Sequence, residues 1–242
     1  MPTAELTRKS ALLSNFKDIQ NRLAAACAAS GRNPAGVELL AVTKYAADSD
    51  VRILIEAGAI KAAGENKVQD SRAKWTAAGP LAPLRSAVKL HFIGHLQTNK
   101  AKTAVETFDW IDGIDSLRIA AEVDRHASAA GRIVPVLIQL KLTESATQSG
   151  AAPAQAGELL TAVRKLSNLA PCGYMGIAPA KAAPAELKAV FAEAKKIFDR
   201  DFPELTHAAG FRNYLSLGMS EDFELAVQAG SNLPRLGSVL FA

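Results

Sequence analysis

Short apolar runs alternate along this chain with longer segments of helical spacing, and this alternation constrains the fold more than any other feature. Runs of strand character fall at 37–43, 60–64, 89–93, 109–114, 133–140, 172–177, 213–217 and 233–236. Between them, segments of helical character occupy 48–57, 66–78, 97–106, 116–130, 153–167, 184–200 and 221–229. A further helix is expected over 4–30, where Leu6, Leu12, Leu13, Phe16, Ile19 and Leu23 recur near the helical period before GRNP (31–34) stops it. Strands that alternate with helices build parallel sheets, because each crossover must carry the chain back to the starting end of the sheet. Eight such units in 242 residues predict an α/β fold, a single (β/α)8 TIM barrel with an extra N-terminal helix, and one domain over 1–242. A doubly wound open sheet is the alternative. VTKYAAD follows the first strand where a dinucleotide-binding sheet would carry GxGxxG.

Composition narrows the class. With 49% apolar and 21% charged residues, the chain can fill one full core. The net charge of +4 is spread along the chain, without a basic stripe interleaved with aromatics, so nucleic-acid binding is not expected. No run approaches the roughly 18 apolar residues of a membrane span. The N-terminal stretch MPTAELTRKSALLSNF lacks the apolar core of a secretory signal. Cys27 and Cys172 stand far apart and form no CxxC, which fits a reducing compartment. A cytoplasmic protein without membrane contact is therefore expected.

In a parallel barrel the carboxyl ends of the strands carry the chemistry. Lys44 stands at the first of these ends, after VELLAVT. Alternation puts Leu40, Val42 and Lys44 on one face, which in a barrel is the lumen. Two readings of Lys44 follow. It is either a solvated lysine at a strand end, or an amine among apolar neighbours whose ammonium form is disfavoured, as condensation with an aldehyde requires. The second end carries Glu65 and Asn66, the third His91 and His95, and the fifth Gln139 and Lys141. The HxxxH spacing of His91 and His95 raises a metal-dependent hydrolase as a further reading. On a strand, however, these residues stand too far apart to share one ion easily. The seventh and eighth ends, LSLGMSED (215–222) and RLGS (235–238), gather Ser216, Ser220, Arg235 and Ser238 around Gly218 and Gly237. Glycine lets backbone N–H groups approach an anion, and barrels often hold a phosphate between these two loops. The simpler alternative is that Ser220 caps a helix and Gly237 makes a turn.

Several motifs stand in collinear order over nearly the whole chain: AVTK (41–44), GENKVQD (64–70), HFIGHLQTNK (91–100), DSL (115–117), YMGIAP (174–179), LSLGMSEDFELAVQAGS (215–231) and RLGS (235–238). Together they resemble the pyridoxal phosphate homeostasis protein family, single-domain relatives of the N-terminal barrel of alanine racemase. The resemblance implies a fold-type III barrel that holds pyridoxal 5′-phosphate (PLP) as a Schiff base on Lys44. It also implies that Ser216, Met219, Ser220, Gly237 and Ser238 belong to the phosphate-holding loops. Arg235 would match an arginine facing either the ring nitrogen or the phosphate, and Asn66 and His91 would line the ring. Lys67 departs from the pattern, since an aromatic often follows GEN, and Ser238 replaces a frequent threonine. The implied function is intracellular PLP homeostasis, in which the vitamer is buffered or delivered to PLP-dependent apoenzymes without robust catalysis. A weak PLP-dependent amino-acid racemase is the alternative. Racemisation needs a second acid/base on the opposite ring face, and the sequence does not place Tyr45, Tyr174 or Tyr214 there. A monomer is expected, because the helices cover the barrel.

Overall fold

The computed structural model describes residues 4–143 and 148–242. All eight expected strands form: β1 (Leu40–Val42), β2 (Ala62–Glu65), β3 (Lys89–Phe92), β4 (Trp110–Ile114), β5 (Val134–Lys141), β6 (Leu169–Ile177), β7 (Tyr214–Ser216) and β8 (Arg235–Leu236). They pair in the order β7-β6-β5-β4-β3-β2-β1-β8, and every pairing is parallel. The remaining seam, between β7 and β8, is closed by mixed contacts. The Asn232 N–H donates to the Leu215 carbonyl at 3.1 Å and the Arg235 N–H to that of Gly218 at 3.0 Å. The Ser231 hydroxyl bridges the Leu215 and Leu217 carbonyls at 3.0 and 2.7 Å. The sheet thus returns on itself, which excludes the doubly wound alternative.

The helices follow the predicted alternation: α1 (Ala4–Ala29), α2 (Asp48–Glu56), α3 (Val68–Trp75), α4 (Ala101–Thr107), α5 (Leu117–Ala129), α6 (Ala156–Val163), α7 (Pro184–Asp201), α8 (Phe223–Gln228) and α9 (Ser238–Phe241). The last helix is a single turn and cannot cover the outside of β8. Instead α1 fills that place in the outer ring, packing on α8, α9 and α2. Polar links fix it there: Arg22 meets Glu224 at 2.6 Å, and Arg8 reaches both Asp50 and the Phe241 carbonyl at 2.7 Å. The extra helix of the sequence reading therefore completes the barrel wall.

Apolar side chains pack in two zones. An outer shell lies between strands and helices. The lumen holds Leu40, Ala62, Trp110, Leu137, Ala170, Cys172, Met175, Tyr214 and Leu233. Buried polar side chains, His91, Asp112, Gln139, Ser216 and Arg235, follow along β3, β4, β5, β7 and β8. A bulge in β4 sets one of them. Ile111 is level with Val136 but Ile114 with Ile138, so an extra residue is accommodated at Asp112–Gly113. A Cβ on Gly113 would come within 2.4 Å of the Gly94 carbonyl oxygen, so only glycine fits that approach.

Candidate functional site

Lys44 lies two residues past β1, at the carboxyl-end mouth of the barrel, in a turn closed by the Ala46 N–H on the Thr43 carbonyl at 3.2 Å. The expectation that apolar neighbours shelter it is corrected: Lys44 is exposed. Its strand ends at Val42, so the side chain emerges from the turn rather than from the packed lumen. Its Nζ stands 5.1 Å from the centre of the Tyr45 ring, itself 82% exposed.

The loops after β7 and β8 meet beside this turn. β8 pairs with β1, and a Cβ on Gly237 would lie 3.2 Å from the Val42 carbonyl oxygen. The expected anion-holding loops therefore flank Lys44 rather than face it across the mouth. Ser220 does not cap α8. Its hydroxyl oxygen accepts from the Val239 N–H at 3.4 Å, tying the two loops together, and Ser238 is exposed next to this link. Asp222 occupies the N-cap position of α8, but its carboxylate turns back to accept the Met219 N–H at 2.6 Å. The Met219 amide is thus committed, while the residue itself is exposed at 42%. Gly218 makes this sharp turn possible: its φ is +90°, and a Cβ there would lie 2.6 Å from Ala226 Cβ.

Ser216 and Arg235 sit deeper. The Ser216 hydroxyl donates to the Leu233 carbonyl at 2.9 Å and accepts from the Arg235 guanidinium at 2.9 Å. Arg235 also donates to the carbonyls of Ser216 (2.6 Å) and Gly176 (2.8 Å), joining β8, β7 and β6. Burial pushes the guanidinium down to about 10, against the opposing pull of Asp112 and Asp222. It remains a cation at neutral pH. The Ser216 hydroxyl thus links β7 to the Leu233 carbonyl and to Arg235 across the seam.

His91 is buried, stacked on Trp110 with ring centres 5.2 Å apart, and its Nδ1 lies 2.9 Å from Asp112 Oδ2. His95 points elsewhere, to Asp115 at 3.0 Å on the exposed rim. The two histidines therefore diverge, each with its own aspartate. Among the described residues no group of three or more His, Cys, Asp or Glu is placed to hold a metal ion. Asn66 follows β2 and is half-buried, its carbonyl oxygen packed where a Cβ on Gly94 would stand. Cys172 lies in the lumen, where burial and then Asp112 push its thiol up to about 12, so it stays protonated. Tyr174 and Tyr214 hydrogen-bond to Asp201 and Glu38, while Tyr45 alone of the three tyrosines lies on the mouth. Surface cavities of about 570 Å3 against α3 and about 390 Å3 beneath α1 lie on the outer ring and involve none of the expected site residues.

Sequence reasoning missed two features. Asp112 was legible as an acid on the same strand face as Trp110, but the bulge that keeps Ile114 outward was not. The other is a buried cluster under the Lys44 turn: Glu65 Oε1 accepts from the Thr43 hydroxyl at 2.8 Å and from Trp75 Nε1 at 3.2 Å, and Lys74 Nζ lies 3.1 Å away. No motif announces Lys74.

The alanine racemase N-terminal domain profile matches residues 8–242. The pyridoxal phosphate homeostasis protein of Escherichia coli K12 is 34% identical over 227 residues, 94% of each chain. The chain belongs to that family. Among solved structures, an unknown protein from Bifidobacterium adolescentis superposes with a TM-score of 0.85 at 27% identity, covering 97% of this chain and 96% of that one. PipY of Synechococcus elongatus PCC7942, solved with PLP bound, superposes with a TM-score of 0.74 at 33% identity, covering 93% of this chain and all of PipY.

Proposed function

We propose that this chain binds pyridoxal 5′-phosphate reversibly through a Schiff base on Lys44 and serves intracellular PLP homeostasis, buffering the vitamer or delivering it to PLP-dependent apoenzymes without robust catalysis. The observation that carries the reading is the exposed Lys44 amine on a turn directly beside the joined loops after β7 and β8. An accessible amine suits exchange of a carbonyl ligand, because it can be loaded and released without opening the fold. The cofactor supplies an aldehyde, a phosphate and a ring able to act as an electron sink. This chain's residues fit those parts. Ser220, Ser238 and the Gly237 loop offer hydroxyls and backbone amides for the phosphate, while Asn66 follows β2, next to β1, and His91 lies on β3, one strand further round. Arg235 is the buried cation on the lumen side, held rigid by backbone carbonyls. An arginine facing the ring nitrogen would disfavour its protonation and weaken the sink, which supports a carrier over a racemase.

The family relatives carry the homeostasis name and PipY carries PLP. The reading extends to one domain over 1–242, monomeric and cytoplasmic, and two buried free thiols support a reducing compartment. No helix among the described residues is long and apolar enough to cross a membrane. Adding PLP should produce near-visible absorbance that Lys44→Ala abolishes. Incubating the loaded chain with single amino-acid enantiomers in heavy water should leave Cα unlabelled; rapid deuterium incorporation would defeat the carrier reading in favour of the racemase.

A further inference from the structure

We infer, resting on the reading of Lys44 as the tether, that Glu65 and Lys74 are positioning residues for it. Their buried ion pair fixes the peptide that joins Thr43 to Lys44 and balances its own charge against that peptide. The Thr43 carbonyl belongs to the peptide whose nitrogen is that of Lys44. It accepts from Lys74 Nζ at 2.8 Å and from the Ala46 N–H at 3.2 Å, so the turn is closed from within and clamped from α3. The Thr43 hydroxyl donates to Glu65 Oε1 at 2.8 Å, and the Thr43 N–H to the Gly64 carbonyl at 3.0 Å. Three groups of Thr43 are thus held immediately before the lysine.

Lys74 and Glu65 side chains are only 14% and 5% exposed, so this is not a surface pair that solvent would screen. Buried pairs add little net stability over an apolar replacement, but losing one partner leaves an uncompensated charge. The charged groups on elements packed around this turn are Glu65 of β2, Lys74 of α3, and Asp48 of α2, whose Oδ1 lies 3.6 Å from Lys74 Nζ. β8 presents Gly237 there. Intact, the pair places little net field on Lys44. Broken, it shifts the amine in a direction set by which partner remains.

The test reads Lys44 in the cofactor-free chain, by acetylation rate against pH with mass spectrometry of the Lys44 peptide. Glu65→Gln removes one of the two carboxylates facing Lys74, so Lys44 should react at lower pH; Lys74→Met leaves the Glu65 and Asp48 carboxylates without their cation, so it should react at higher pH. Each change is expected to be about threefold in rate well below the midpoint of the profile. The double variant should return to the wild-type profile, and Lys74→Arg should keep it throughout. Amide hydrogen exchange across 44–46 should quicken in both single variants. Should those variants not fold, Thr43→Val removes only the hydroxyl link and should still quicken exchange there. Same-signed shifts, unchanged profiles or unchanged exchange would overturn the inference. Lys44→Ala, loaded with PLP, tests the tether separately: an adduct surviving there would sink the tether reading, while its loss alongside unchanged Lys44 reactivity in the pair variants would sink this inference alone.

Discussion

A lysine has to be reachable to exchange a carbonyl ligand and fixed to hold one, and these demands fall on different atoms here. The Lys44 amine is exposed, while the peptide before it is held by Thr43, Glu65 and Lys74. Arg235 shows the opposite arrangement: its guanidinium is buried and bonded to the carbonyls of Ser216 and Gly176. Arg235→Met should therefore strand two buried carbonyl oxygens and cost about 2–4 kcal/mol of stability. Urea denaturation measures this directly, and a loss under 1 kcal/mol would mean the arginine is not what joins β6, β7 and β8. The same substitution should weaken PLP retention, because the rim loops leave from those strands.

Element by element, the sequence carried most of the fold and less of the site. Hydrophobic runs of strand length, separated by helical periodicity, placed all eight strands and α1 to α8 within a few residues, because burial on both faces of a parallel strand writes itself into composition. The one-turn α9 left no such mark, nor did the fact that α1 takes its place outside β8. Lys44, Ser220, Gly237 and Ser238 were legible because glycine and polar residues at strand ends stand out against apolar runs. Their relation was not: which loops flank Lys44 depends on closure, and β8 reaches β1 only through long-range pairing. Ser216, which the resemblance places in a phosphate-holding loop, lies buried, its hydroxyl bonded to the Leu233 carbonyl and to Arg235. Ser116 and Asp222 stand at the N-caps of α5 and α8 without making side-chain caps, since Asp115 and Met219 take their hydrogen bonds.

A further prediction belongs to the β3–β4 junction. Asp109 loses solvent on burial, which raises its pKa, yet the Arg85 guanidinium and the Leu90 N–H outweigh this and hold it below the usual carboxylate value. A carboxylate whose folded pKa lies below its unfolded value contributes stability that is full above about pH 4 and fades as pH falls further. Asp109→Asn should lower Tm at neutral pH and flatten its decline below about pH 4. An unchanged acid limb would contradict this.

At the scale of the whole molecule, closure makes the parts interdependent. The first helix is tied to the last residues through Arg8 and Asn15, and the lumen packs only when β7 meets β8. The two thiols report on this from separate places, Cys27 on the inner face of α1 and Cys172 in the lumen, both wholly buried. A disulfide-exchange reagent should modify neither in the native chain and both together as urea unfolds it, in one transition matching the loss of helix. Release of Cys27 at lower urea than Cys172 would show that α1 is a separable layer rather than part of the wall.

The claim on which the function rests concerns one nitrogen. Loading the chain with PLP, reducing it with borohydride and locating the added mass by peptide mass spectrometry asks which amine holds the vitamer. A single pyridoxyl modification at Lys44 is the expected result. Modification at other lysines with Lys44 left free, or no stable adduct at all, would contradict it.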